Sequence, residues 1–136
     1  GGNEARRGAG ELPYFGQGWR SPAGGAFGTS RLSSGPYSEI FFLLSAGAGE
    51  GLSALLKLAA VLPGTRTEVG AELNGTTVGR FAVTEEGPQE EVCKLSAKIL
   101  QPGLNRLVLR YAETFRLNRR HRQTAVRFYQ MILKRQ

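Results

Sequence analysis

The chain has 136 residues and a formal net charge of +7, with no Asp, one His (His121), one Cys (Cys93) and one Trp (Trp19). The length suits one domain with a modest core, and no apolar run is long enough for a membrane-spanning helix. So sparse an inventory cannot supply the usual ligands of a zinc site, offers calcium no Asp-rich loop, and leaves only His121, set among arginines, for a catalytic triad; no enzyme activity, metal or cofactor is expected.

The N-terminal third opens on Gly1-Gly2 rather than Met, which reads as a domain excised from a longer protein. Ten of the first 36 residues are Gly, so a regular core element is not expected there. Residues 1–17 are expected to form a flexible segment, and residues 18–136 a single folded domain. Leu12, Tyr14, Phe15, Trp19 and Phe27 are scattered through this glycine-rich stretch. Large rings in such a segment either pack along the domain or are presented at its surface.

Residues 37–44 (Tyr-Ser-Glu-Ile-Phe-Phe-Leu-Leu) read as a strand, and the small residues at 46–51 as a turn. Residues 52–62 read two ways. Leu and Ala favour a helix by propensity, and Leu52, Leu55, Leu56 and Ala59 share a helical face. Against this, Ala54, Leu56, Leu58, Ala60 and Leu62 alternate with Ser53 and Lys57, and Pro63-Gly64 limits the run to strand length. Its neighbours on both sides are strands, which decides for a strand. Residues 66–73 alternate, with Thr67, Val69, Ala71 and Leu73 on one face and Arg66, Glu68 and Glu72 on the other, as in a half-buried strand.

Asn74-Gly75 supplies the positive φ angles of a tight hairpin, so residues 78–83 should pair back on the preceding strand. Residues 84–89 form a polar turn that carries Glu85, Glu86 and, just beyond, Glu90 and Glu91. These carboxylates read as a polar hairpin end rather than as an acid/base pair. Residues 92–95 are a short strand holding Cys93, expected to be a structural thiol. Residues 96–100 make a helical turn before Pro102-Gly103. In residues 105–111, Leu107, Leu109 and Tyr111 face one way and Arg106 and Arg110 the other. Residues 113–123 are a basic loop. In the last strand, residues 125–133, Val126, Phe128 and Ile132 are expected inward, with Arg127 and Tyr129 outward. Seven or eight short strands at even spacing predict an all-β fold, an antiparallel β-sandwich of jelly-roll type.

Leu73-Asn74-Gly75-x-x-Val78-Gly79, the short strand at 91–95, and Leu100-x-Pro102-Gly103-x-Asn105-x-Leu107-x-Leu109 follow one another in an order that resembles galactose-binding-like jelly rolls. These are the fold of many carbohydrate-binding modules. Accessory domains of bacterial sulfatase-like and polysaccharide-assembly proteins are the nearest likeness. Gly18-Trp19 and Arg122-x-x-Ala125-Val126-x-Phe128 match their opening and closing elements. The resemblance implies a non-catalytic accessory module that recognises a glycan. It would be extracytoplasmic if the ligand is a glycan; the lone Cys leaves the compartment open.

Two surfaces are candidates for such a role. From Asn105 onward nine basic residues face one acidic residue, Glu113. Arg116, Arg119, Arg120 and Arg122 cluster around His121, and guanidinium forks bind sulfate, phosphate or carboxylate in pairs of hydrogen bonds. This favours an anionic glycan or another acidic polymer. Tyr14, Phe15, Trp19 and Tyr129 are the candidate aromatic contacts, Trp19 and Tyr129 foremost. Two other readings stand beside this one: an interaction domain whose arginines pack on a partner protein or parent-enzyme domain, and a basic nucleic-acid binder. The last lacks a recognition helix or any RNA-binding signature.

Overall fold

The computed structural model describes residues 13–45 and 49–136. Among the described residues there are nine strands: β1 (Tyr14–Phe15), β2 (Arg31–Leu32), β3 (Tyr37–Leu44), β4 (Leu52–Ala60), β5 (Thr67–Leu73), β6 (Thr76–Val83), β7 (Gln89–Leu95), β8 (Gly103–Tyr111) and β9 (Val126–Arg135). They form a five-stranded sheet, β1-β3-β8-β5-β6, and a four-stranded sheet, β2-β9-β4-β7. Every neighbouring pair is antiparallel. The expected β-sandwich is the fold observed.

The core follows from alternation. Ile40 and Phe42 on β3, Val69, Ala71 and Leu73 on β5, and Leu107, Leu109 and Tyr111 on β8 line the inner face of the five-stranded sheet. Ala54, Leu56 and Leu58 on β4, Cys93 and Leu95 on β7, and Phe128 on β9 face them from the other sheet. Residues 52–60 are therefore strand, because the apolar period of two can be buried between β9 and β7, while a helix there would leave β7 without a partner and one edge of β9 open. Asn74 (φ 50°) and Gly75 (φ 93°) close the β5–β6 hairpin as a two-residue turn. Residues 96–100 form the expected helical turn, with the Leu100 N–H donating to the Ser96 carbonyl at 3.1 Å.

Three expectations are corrected. Tyr14–Phe15, within the segment expected to be flexible, is an edge strand paired with Phe41 and Ile40 of β3. The Phe15 ring lies 5.9 Å from that of Phe128, so aromatic burial fixes a stretch that composition alone does not. Residues 1–12, including Leu12, and part of the expected turn, residues 46–48, lie outside the described residues. In β9, Met131 and Leu133 are buried and Ile132 is only half-buried. The β4–β9 register shifts between Lys57 and Leu58, which pair with Gln130 and Phe128. This bulge at Tyr129 adds one residue and inverts the alternation beyond it. Finally, Leu62 does not continue the apolar period of β4; it lies past the strand end and is exposed.

Several polar groups inside the sandwich are paired, while Thr124 Oγ1 is buried without a partner among the described residues. The Tyr111 hydroxyl donates to Ser38 Oγ (2.8 Å), which donates to the Gly18 carbonyl (2.6 Å). Burial pushes the Tyr111 phenol well above its usual range, against the opposing pull of its serine hydrogen bonds. Asn105, fully buried, accepts at Oδ1 from Asn74 Nδ2 and the Gln101 N–H, each at 3.0 Å, and donates from Nδ2 to the Gln101 carbonyl at 2.8 Å. It ties the Pro102-Gly103 turn to the β5–β6 hairpin.

Candidate functional site

The outward face of the five-stranded sheet carries a polar lattice. Alternation turns Tyr37, Glu39 and Phe41 of β3, Arg106, Val108 and Arg110 of β8, and Glu68, Gly70 and Glu72 of β5 to this side. Arg106 Nε donates to Glu39 Oε2 at 2.7 Å, and Arg110 Nε to Glu72 Oε2 at 2.8 Å. The Gln17 backbone N–H, which donates to Glu39 Oε1 at 2.9 Å, and then Arg106 hold the Glu39 carboxyl below its ordinary range. Val108 stands between Glu39 and Glu72 in the register and is only 3% exposed, although it lies on the outer side. The Arg110 guanidinium also sits 5.7 Å from the centre of the Tyr37 ring.

Within this lattice one position has no side chain. Gly70 lies directly between Arg110 on β8 and Arg80 on β6. A Cβ added at Gly70 would meet no heavy atom within 4 Å. The gap is the floor of a cavity of about 400 Å³, walled by Glu68, Glu72, Thr77, Arg80 and Arg110 and ended by Tyr111 and Ala112. Its volume lies within the usual range of small-molecule sites. Arg80 has no ion pair or side-chain hydrogen bond among the described residues. Two planar donor forks, two carboxylates and a hydroxyl on rigid strands can hydrogen-bond a ring bearing several hydroxyls. Strand backbones set their spacing, and Glu72 already holds Arg110, so Arg80 is the side chain that a ligand must order.

The residues singled out from sequence fall in three separate places. Arg116, Arg119, Arg120, His121 and Arg122 are together on one ordered hairpin loop between β8 and β9. Phe115 and Thr124 exchange backbone hydrogen bonds of 2.7 and 3.0 Å at its base. At its tip Asn118 Oδ1 accepts from the backbone N–H groups of Arg120 and His121 at 2.9 Å, and His121 Nδ1 lies 3.0 Å away. The four arginines are exposed. Trp19 is elsewhere. Its indole N–H donates to the Glu39 carbonyl at 2.7 Å, and its ring lies 5.2 Å from Phe15 and 5.1 Å from Phe128, so it packs over the sandwich edge. Tyr129 sits at the β9 bulge beside Phe27, whose ring is 6.5 Å away, nearly perpendicular and 62% exposed.

Sequence reasoning missed the cavity. The signal was present: in Thr-Glu-Val-Gly-Ala-Glu-Leu the outward positions read Glu68, Gly70, Glu72, and a strand glycine often marks close approach of a ligand. Arg80 and Arg110 could not be placed on either side of it without the strand order. Among the described residues no three His, Cys or Glu side chains come together to hold a metal ion.

No protein-family model matches this chain, and no curated protein matches it in sequence. Solved structures do match in three dimensions. The CBM22-1 xylan-binding domain of Paenibacillus barcinonensis Xyn10C superposes with a TM-score of 0.62 at 13% identity, over 96% of this chain and 90% of that one. CsCBM6-3 from Clostridium stercorarium, solved with cellobiose, gives 0.53 at 13% identity, over 93% and 88%. An exo-beta-1,3-galactanase from Phanerochaete chrysosporium gives 0.58 at 14% identity over 93% of this chain, which spans only 29% of that enzyme. The chain therefore has the β-sandwich fold of carbohydrate-binding modules, as the turn and strand motifs had implied.

Proposed function

We propose that this domain is a non-catalytic accessory module that recognises a glycan in the cavity over Gly70. The observation that carries the reading is the cavity itself. It has about 400 Å³ of space over a missing side chain, between Arg80 and Arg110, on a fold shared with xylan-binding and cellobiose-binding modules. Sugar rings present hydroxyls around their rim, and paired guanidinium and carboxylate groups can donate to and accept from neighbouring hydroxyls. Both carboxylates of the cavity are held by arginines, Glu72 by Arg110 at 2.8 Å and Glu68 by Arg66 at 2.7 Å, which suits them to accept hydrogen bonds from sugar hydroxyls. Isothermal titration with xylo-, cello- and galacto-oligosaccharides and with acidic oligosaccharides tests it. Heat of binding that is lost in Arg80→Ala supports the site; flat titrations across the whole set refute glycan recognition.

A second reading has its own observation. Tyr14 stacks on Phe41 at 5.8 Å, and Leu43 pairs across strands with Leu104 at the far end of the same outer face. Tyr14, Leu43 and Leu104 are all exposed. An apolar patch of this kind suits packing on a neighbouring domain. Leu43→Ser with Leu104→Ser would then weaken association with that domain and leave oligosaccharide titrations unchanged.

A further inference from the structure

We propose that the ligand is an anionic glycan chain, held by its sugar ring over Gly70 and by its sulfate or carboxylate groups on the arginine hairpin. The inference rests on the glycan reading above and adds the chemical class of the chain. Three observations carry it.

The first is continuity. Ala112 ends the cavity, and its N–H donates to the Glu68 carbonyl at 3.0 Å. Thr67 Oγ1 donates to the Glu113 carbonyl at 3.0 Å. Two residues later Phe115 begins the ladder of the basic hairpin. The wall of the cavity and the base of the hairpin are thus one stretch of backbone, and the proposal has the polymer follow it from the cavity to the arginines.

The second is the charge left free. Arg116, Arg119 and Arg120 have no ion pair or side-chain hydrogen bond among the described residues, and Arg122 only donates to the Arg119 carbonyl at 3.3 Å. No carboxylate side chain follows Glu113 in the sequence. Arg66, Arg106 and Arg110 differ, each having a glutamate within 2.8 Å, whereas Arg80 in the cavity shares the unpaired state of the hairpin arginines among the described residues. The hairpin concentrates unneutralised guanidinium groups, which oxyanions match fork to fork.

The third is order. Asn118 fixes the tip through three contacts of 2.9–3.0 Å, and the Leu117 N–H donates to the His121 carbonyl at 2.8 Å. Gln123 accepts at its carbonyl from the Gly35 N–H at 2.8 Å, and Thr124 is fully buried. A pre-ordered tip loses less entropy on binding than a mobile basic tail.

The test measures affinity for heparin (sulfated), polygalacturonate (carboxylated), neutral xylan and a DNA duplex at several salt concentrations. Wild type, Arg119→Ala/Arg120→Ala and Arg80→Ala are compared, each checked for folding by circular dichroism. The expected result is that one or both acidic glycans bind more tightly than xylan. With four charge contacts, affinity should fall about 50-fold between roughly 50 and 200 mM salt, and only about sevenfold once two arginines are removed. Whether heparin or polygalacturonate leads separates sulfate from carboxylate as the anion. Xylan binding that exceeds both, unchanged in the hairpin variant, overturns the anionic class while leaving glycan recognition standing. Absence of binding to any glycan overturns both readings. DNA that binds as tightly as the acidic glycans, with Arg80→Ala of no consequence, overturns the glycan assignment in favour of a phosphate polymer.

Discussion

Gly70→Val separates the two things a strand glycine can do. In a strand interior, glycine costs about 0.5–1 kcal/mol relative to alanine. A β-branched residue on a pleated surface adds some further tenths within the roughly 1 kcal/mol span of strand preferences. The new side chain meets no neighbour at its Cβ, and the backbone at Gly70 does not have positive φ. Stability should therefore rise by about 1 kcal/mol, which for a domain of this length is roughly 3 °C in Tm. The same methyl groups fill the cavity floor between Arg80 and Arg110. Affinity for whichever oligosaccharide the wild type binds should fall at least about tenfold, or 1.4 kcal/mol. Thermal unfolding and calorimetric titration of the same preparation measure both. A variant that is less stable would show that Gly70 is required by packing, and one that is more stable yet binds normally would remove the cavity as the site.

Four further outcomes follow from the packing. Gly18→Ala should cost about 3 kcal/mol or more in urea unfolding, because a Cβ at this positive-φ residue runs into the Tyr37 carbonyl and comes within 2.6 Å of Ser38 Cα. Asn105→Ala should cost about 2–4 kcal/mol, leaving Asn74 Nδ2 and the Gln101 N–H without their shared acceptor, and should loosen the 101–105 turn in hydrogen exchange. Burial raises the Cys93 thiol from 9.0 to about 11, with the nearby Glu91 charge adding to it. Native protein should thus react with iodoacetamide about 100-fold more slowly at pH 8 than after unfolding, if thiolate fraction governs the rate. The raised value also makes the thiol's contribution to stability complete below pH 9 and lost as pH climbs through 11; a Cys93→Ala protein should lose less stability between pH 9 and 11, keeping only the later decline that the raised Tyr111 phenol brings.

Local chemistry made much of the fold legible. Asn74-Gly75 announces its turn because both residues tolerate positive φ, and β5 shows its buried face because Thr67, Val69, Ala71 and Leu73 keep a strict period. The same period resolves residues 52–60 once two partner strands flank them. What escaped depends on distant neighbours. The Tyr129 bulge leaves no local mark, so Met131 and Ile132 exchange faces unannounced. Trp19 offered itself as a sugar platform, whereas its N–H and ring are engaged by Glu39, Phe15 and Phe128, residues from three other elements. The basic hairpin was readable as charge, but its order comes from Asn118 and the Phe115–Thr124 pair. Opposed arginines around Gly70 emerge only when β8, β5 and β6 lie side by side.

The position of β9 inside its sheet, between β2 and β4, has a kinetic consequence. β4 finds one partner in β7 but must wait for the most sequence-distant strand to cover its other edge. Folding should accordingly be slow for the chain's size, since loop closure over a long separation precedes the reward of pairing. During that wait the segment around Leu55, Leu56 and Leu58 is an open apolar edge, a template for other chains. Lys57, in the middle of it, is the one charge there, and exchanging it for an apolar residue should raise aggregation during refolding more than it alters the folded state.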